Sequence, residues 1–325
     1  MEEFYYNSKN GKTKIRALKW VPEAEIKAIL QISHGMLEHM ERYDEFACYM
    51  ADNGVVVVGN DHLGHGSSIN NEEDRGYFSE TEGYHVLIED MHNLMQITKE
   101  SYLDIPYYLL GHSMGSFLTR YFIAIYGDEV DGAIIMGTGQ QSTGLVKFGL
   151  FLTKSMARMK GWNYRSKYVD QLVLGSNNDK FEPARTKSDW LTRDEKIVDA
   201  YLTDKRINFI FTLNGFYNLF KVMLDMDEKE RIQNIPINLP LLLVSGKNDP
   251  VGNFGKGVQK TYDLLKTSRV KNIAIKLYEE DRHEILNELD REQVYEDILR
   301  WIEIGIPGRI PGDSVNSGDG PLNSA

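Results

Sequence analysis

A serine held between two glycines, Gly111-His112-Ser113-Met114-Gly115, is the part of this 325-residue chain best built for covalent chemistry. The five residues match G-x-S-x-G, and their setting matters more than the match. The apolar run Tyr107 to Leu110 precedes them, and the helical pattern Ser116-Phe117-Leu118-Thr119-Arg120-Tyr121-Phe122 follows. A strand that turns sharply into a helix lifts the serine hydroxyl clear of the backbone, and side chains at 111 or 115 would collide in such a turn. The helix aims its first N–H groups at the same point, where they favour developing negative charge. The chemistry this arrangement suits is attack on a carbonyl, most simply that of an ester.

A serine hydroxyl is a weak nucleophile until a base takes its proton and an acid orients the base. Only one histidine, His283, lies beyond residue 112, and it follows the apolar run Ile273 to Tyr278 by a short loop. The turn at Ser113 resembles the nucleophile elbow of the α/β-hydrolase fold, in which the acid lies between serine and histidine in chain order. Asp249, in Ser245-Gly246-Lys247-Asn248-Asp249-Pro250, sits just past the strand candidate Leu241 to Ser245 and takes the role by position. Asp281 and Glu284 flank His283 too closely to reach its distal ring nitrogen, and Asp225 and Asp227 fall in or beside a helical insertion. A tetrahedral intermediate also needs two N–H donors for its oxyanion. One is expected from Met114, the residue after the nucleophile. The other is expected from Met36 in the loop Ser33-His34-Gly35-Met36-Leu37-Glu38-His39, where Gly35 permits close backbone approach.

The elements that must position these residues alternate. Strands are expected at Ala28 to Ser33, Val55 to Gly59, Tyr107 to Leu110, Ala133 to Met136, Leu241 to Ser245 and Ile273 to Tyr278. Several are apolar on both faces, as parallel strands covered by helices on each side should be. Helices are expected at Tyr43 to Asn53, Tyr84 to Ser101, Met114 to Tyr126, Phe254 to Thr267 and Arg291 to Ile304. The alternation predicts an α/β fold with a mostly parallel central sheet.

One stretch breaks the rhythm. From residue 141 to 235 no buried strand is evident, and helices are expected at Leu145 to Met159, Asp194 to Thr203 and Ile207 to Asp225, with Thr192 and Glu195 as a capping box. This block reads as a helical cap inserted between core segments 1–140 and 236–307. Its large apolar side chains (Phe148, Phe151, Met156, Met159, Trp162, Trp190, Phe209, Phe211, Phe216, Phe220 and Met223) divide between packing and lining whatever cavity the cap covers. Residues 308–325 are rich in Gly, Ser, Asn, Asp and Pro and are expected to form a flexible tail.

Composition narrows the partners. Hydrophobic residues at 42% and charged residues at 26% are ordinary for a globular protein. A formal charge of −11 argues against nucleic-acid binding, which clustered Lys and Arg drive. The lone Cys48 cannot form an internal disulfide, no window resembles a membrane helix, and the first residues lack the basic and apolar runs of a secretion signal, so a cytoplasmic location is the expectation. The histidines at 34, 39, 62 and 65 lack the spacing of zinc hydrolases and are expected to brace loops by hydrogen bonds. The chemistry calls for no metal and no cofactor.

Taken together, His34-Gly35 with Glu38-His39 and Arg42-Tyr43, Asp61-His62-Leu63-Gly64-His65-Gly66-Ser67, Gly111-His112-Ser113-Met114-Gly115, Asp249-Pro250-Val251-Gly252 and Arg282-His283-Glu284 resemble the monoacylglycerol lipase and lysophospholipase branch of the α/β-hydrolases. The resemblance spans about residues 10 to 305. It implies a Ser113, Asp249 and His283 triad, a helical cap over the site, and a single-acyl lipid ester as substrate. The chain departs from the pattern at Glu279-Glu280-Asp281, where the family has a small or Pro/Gly-containing turn; these carboxylates are expected to add negative field near His283.

Overall fold

The computed structural model describes residues 1–80 and 83–306. The tail expected at 308–325 lies outside them. An eight-stranded sheet runs through the molecule, made of β1 (Glu2–Asn7), β2 (Lys14–Trp20), β3 (Ala28–Ser33), β4 (Val55–Asn60), β5 (Tyr107–His112), β6 (Gly132–Met136), β7 (Leu241–Gly246) and β8 (Ile273–Tyr278). Their spatial order is β1-β2-β4-β3-β5-β6-β7-β8. β1 and β2 are antiparallel to their neighbours, and from β4 to β8 every pairing is parallel.

All six expected strands form. β3, β4, β5, β6 and β7 are buried along their whole length. Their residues alternate between two cores, as a period of two requires: Ile29 and Val56 face one side, Leu30 and Val57 the other. Helices α1 (Asp44–Asp52) and α10 (Arg291–Gly305) bury Phe46, Met50, Val294 and Ile298 on one face; α2 (Gly83–Ser101), α3 (Met114–Tyr126) and α9 (Lys256–Thr267) bury Leu87, Phe122 and Val258 on the other. β1 and β2 form a hairpin that pattern reading passes over, because Lys14, Arg16 and Lys19 interrupt its apolar residues. Arg16 is nonetheless buried, its guanidinium held by Glu3 at 2.7 Å, Glu41 at 2.6 Å and Asp61 at 3.4 Å.

Between β6 and β7 the described chain is helical: α4 (Thr143–Lys160), α5 (Lys167–Leu174), α6 (Glu195–Thr203), α7 (Leu213–Asp225) and α8 (Lys229–Gln233). α4 packs along α7, and α7 rests on α2 and α3. Two local expectations are corrected. The helix expected from Ile207 starts at Leu213, because Thr212 caps it, its Oγ1 accepting from Gly215 N–H at 3.1 Å. The N-cap of α6 is Asp194, which accepts from Lys196 N–H at 3.0 Å; Thr192 instead donates to the Asn287 carbonyl at 2.8 Å.

Candidate active site

The sheet edge formed by the carboxyl ends of β3, β5, β7 and β8 carries every residue singled out for chemistry. Ser113 lies between β5 and α3 with φ 54° and ψ −119°. For a residue with a Cβ this backbone costs about 1–3 kcal/mol, and neighbouring structure must hold it. The Ser113 N–H donates to the Met136 carbonyl at 3.0 Å, and Ser116 Oγ donates to the Ser113 carbonyl at 2.6 Å. The flanking glycines are sterically required. A Cβ on Gly115 would lie 1.9 Å from the Ser33 oxygen, and one on Gly111 would lie 2.3 Å from the Gly115 oxygen. Gly35 is less crowded, but a Cβ there would sit 3.0 Å from both the Ser113 Cβ and Glu38 Oε2, so its absence eases the approach of the β3 loop to the serine.

His283 Nδ1 lies 2.9 Å from Asp249 Oδ1. A carboxylate only accepts, so Nδ1 carries the proton and Nε2 is left as a base. Asp249 is fully buried and held by two further donors, the Val251 N–H at 2.8 Å and Ser245 Oγ at 3.1 Å. The expected carboxylate field near His283 is largely spent elsewhere. Glu279 pairs with Lys247 at 2.7 Å, Asp281 with Arg193 at 2.7 Å, and Glu284 with Arg42 at 2.7 Å. Burial and the nearby charges of Glu288 and Asp290 push the Asp281 carboxyl up to about 7.

Ser113 and His283 line one cavity of about 250 Å³ together with Met36 and Met114. Among the described residues no protein oxygen accepts from the backbone N–H of either methionine. The lining combines apolar side chains, among them Phe117, Val146, Val173, Leu219, Phe220 and Met223, with polar ones, Glu38, Ser176, Asn177, Tyr201 and Glu284. The large side chains between β6 and β7 have divided. Trp190, Phe220 and Met223 line the cavity, Phe211 and Phe216 are core, Met156 and Phe209 pack against that core, and Phe148, Phe151, Met159 and Trp162 are exposed.

A buried polar network behind the serine was not read from the sequence. Glu38 accepts from Gly35 N–H at 2.6 Å, Tyr43 OH at 2.9 Å and Arg42 at 3.0 Å, and lies 3.3 Å from His112 Nδ1. His112 Nε2 lies 3.2 Å from the His283 carbonyl oxygen. Burial pushes the Glu38 carboxyl up, but the charge and hydrogen bond of His112, with Arg42, outweigh it and hold the group well below the usual carboxylate range. Burial likewise pushes His112 down, and Glu38 more than reverses this, so its pKa is raised. Glu38 and His112 thus form an ion pair joining the β3 loop, the elbow and the His283 loop. The i, i+4 spacing of Glu38 and Arg42 was its only trace in sequence.

The bracing role expected of the other histidines holds for His34, His39 and His62, whereas His65 comes only within 3.4 Å of the Leu63 carbonyl oxygen. His34 Nε2 accepts from His62 N–H at 2.9 Å, and His62 Nε2 meets Ser33 Oγ at 3.0 Å. His39 Nε2 meets Asp204 Oδ2 at 2.8 Å. Burial holds the pKa of His34, His62 and His65 low, as neutral bracing rings require.

A parallel sheet with a serine on a strained strand-to-helix turn, and an aspartate–histidine pair at the same edge, defines an α/β-hydrolase. Comparison with known proteins agrees. Residues 24–290 match the family model described as serine aminopeptidase, S33, and the chain belongs to that family. It is 26% identical to the monoglyceride lipase of Mus musculus over 291 residues, covering 87% of this chain and 84% of the mouse protein. The crystal structure of a thermostable carboxyl esterase from Bacillus coagulans superposes with a TM-score of 0.87 at 30% identity, over 94% of this chain and 98% of that one. A soluble variant of monoglyceride lipase from Saccharomyces cerevisiae shares the fold, with a TM-score of 0.74 at 19% identity over 94% and 96% of the two chains. The protein is an enzyme, a hydrolase of the serine-hydrolase type similar to monoglyceride lipases. No described helix is long and apolar enough to cross a membrane.

Proposed function

We propose that the protein hydrolyses single-acyl lipid esters, monoacylglycerols in particular, through an acyl-enzyme formed on Ser113. His283 Nε2 takes the Ser113 proton as Oγ attacks the acyl carbonyl, and Asp249 holds the imidazole in the required tautomer and steadies its positive charge. The oxyanion takes hydrogen bonds from the N–H groups of Met36 and Met114. His283 then protonates the departing alcohol and removes a proton from the water that frees the acid. Residues 141–235 act as the cap that shields these steps, and residues 1–140 and 236–307 form the core beneath it.

The observation that carries this reading is the mixed apolar and polar lining of the cavity at Ser113. Its apolar side chains suit an acyl chain and its polar ones a small polyol. The lining residues include no lysine or arginine. Arg42, which does not line the cavity, is committed to Glu38 and to both oxygens of Glu284, which do. That disfavours a phosphate head group and so a lysophospholipid. The test is hydrolysis of 1-acylglycerols and p-nitrophenyl esters of increasing chain length. Activity should rise from two carbons to at least eight, Ser113→Ala should abolish it, and a fluorophosphonate should label wild type only. A sharp loss beyond about four carbons would make the protein a short-chain esterase. Absence of labelling in wild type would overturn the serine chemistry itself.

A further inference from the structure

The bond from His283 Nδ1 to Asp249 fixes one end of the imidazole, and by itself it leaves the ring free to tilt. Two other rings confine it. The His112 ring has its centroid 4.7 Å away, and the Trp190 indole has its centroid 5.0 Å away with the planes inclined at 37°. Trp190 is half-buried and lines the cavity beside Ser113. It comes from the helical insertion between β6 and β7, just ahead of α6.

The stretch that carries Trp190 is bonded along the His283 loop at every position from Asp189 to Arg193. The His283 and Glu284 N–H groups donate to the Trp190 and Leu191 carbonyls at 3.4 and 2.7 Å. Arg282 donates to the carbonyls of Asp189 and Thr192, and Thr192 Oγ1 to that of Asn287 at 2.8 Å. Arg193 pairs with Asp281 at 2.7 Å and with Glu288 at 2.8 Å. So bonded, the stretch moves only together with the histidine loop. The indole is therefore a fixed neighbour of the base.

A cation within about 6 Å of an indole centroid is attracted by the negative face of the ring. His283 is uncharged while it waits as a base and cationic once it holds the Ser113 proton. A contact that strengthens between those two states raises kcat, because it is made more fully in the transition state than before it. We propose that Trp190 is a positioning residue for His283, its indole confining the imidazole plane and stabilising the positive charge that His283 gains as Ser113 Oγ attacks. The proton passes from Ser113 Oγ to His283 Nε2 while the bond from Oγ to the acyl carbon forms, and Trp190 exchanges no atom. This role rests on the proposed triad.

The charged groups facing the imidazole are Asp249 after β7, His112 of β5 with its partner Glu38 of the β3 loop, and, on its own loop, Asp281, Arg282 and Glu284. A substitution at 190 leaves all of them in place. Hydrolysis of p-nitrophenyl acetate, whose short acyl group needs little of the cavity, reads the chemistry across pH. A desolvated cation against an indole is worth on the order of tenfold. Trp190→Leu should therefore lower kcat/KM about tenfold at neutral pH and above, mostly through kcat. Below the acid limb the imidazole is charged in the free enzyme and in the transition state alike, so the gap to wild type should close and the variant's limb should lie about one pH unit lower. Trp190→Phe, with a weaker face, should fall between the two, and it carries the same comparison if Trp190→Leu does not fold. A gap that is the same at every pH, or one found in KM alone, would overturn the proposal and leave Trp190 as packing. Fluorophosphonate labelling of wild type reads the triad separately: absence of labelling would overturn the triad and this role with it, whereas labelling with a gap that ignores pH would overturn the role of Trp190 alone.

Discussion

Replacing Glu38 by Gln tests whether the buried network behind Ser113 sets catalysis or only holds the fold. The carboxylate takes four partners: Gly35 N–H and Tyr43 OH on one oxygen, Arg42 on the other, and His112 at 3.3 Å. A glutamine keeps the shape but offers one acceptor atom and turns an N–H2 toward a donor whichever way it is set. A hydrogen bond to a charged group contributes about 1.5–3 kcal/mol, so losing the better part of two costs about 2–4 kcal/mol of stability. The catalytic cost follows from Gly35. Its N–H is fixed by Glu38, the next N–H is the proposed oxyanion donor of Met36, and complete loss of such a donor costs about 10²–10³ in kcat. A loosened donor should cost about 10–100-fold in kcat with KM changed less than about threefold. Urea unfolding and p-nitrophenyl butyrate kinetics read the two numbers separately. The stability gap between wild type and E38Q should also depend on pH. The Glu38 contribution is complete above its ordinary 4.5 and is lost as pH falls through the lowered folded value. The His112 contribution is complete below its ordinary 6.5 and is lost as pH rises through the raised one. The gap is widest between these two values. A variant destabilised as expected but with kcat within twofold of wild type would refute the link from Glu38 to the oxyanion loop.

Two further outcomes follow from the structure. Asp249→Asn presents an amide to His283 Nδ1 and permits the wrong tautomer, so kcat should fall by about 10⁴ while the fold survives; a loss under tenfold would remove Asp249 from the proposed triad. Asp90 is fully buried between α2 and the β1–β2 turn, accepting from Lys9 N–H and Ser8 Oγ at 2.7 Å each, and burial pushes its carboxyl up to about 7 from 3.8. A carboxyl raised on folding contributes stability that is complete below 3.8 and lost as pH rises through 7. Asp90→Asn should therefore gain several degrees in melting temperature over wild type at pH 8 relative to the same comparison at pH 5. A difference that does not change with pH would contradict this.

The parts of the site legible in the sequence depend on short stretches of chain. The elbow is one: a strand, five residues and a helix carry their own steric logic, and Gly111 and Gly115 are required by contacts within that turn and with the neighbouring β3 loop. Elimination points to His283 and chain order to Asp249. The hidden parts are those in which a polar side chain is buried by partners distant in sequence. The β1–β2 hairpin is hidden because Arg16 reads as a surface residue, and it is buried where Glu3, Glu41 and Asp61 meet its guanidinium. Glu38 and His112 are 74 residues apart. Glu279 and Asp281 looked as if they would act on His283, and they turn instead to Lys247 and Arg193.

Apolar periodicity and turn sterics act over a few residues at a time, so the chain's own pattern carries the six strands β3 to β8 and the tight turn that holds Ser113. Which aromatic residues between β6 and β7 line the cavity and which face outward depends on how the helices pack, since α4 is oriented by its contact with α7. The tertiary structure likewise decides which charges are paired. An ion pair is a property of distance in space, and two buried groups shift one another's protonation only where the fold has brought them into contact.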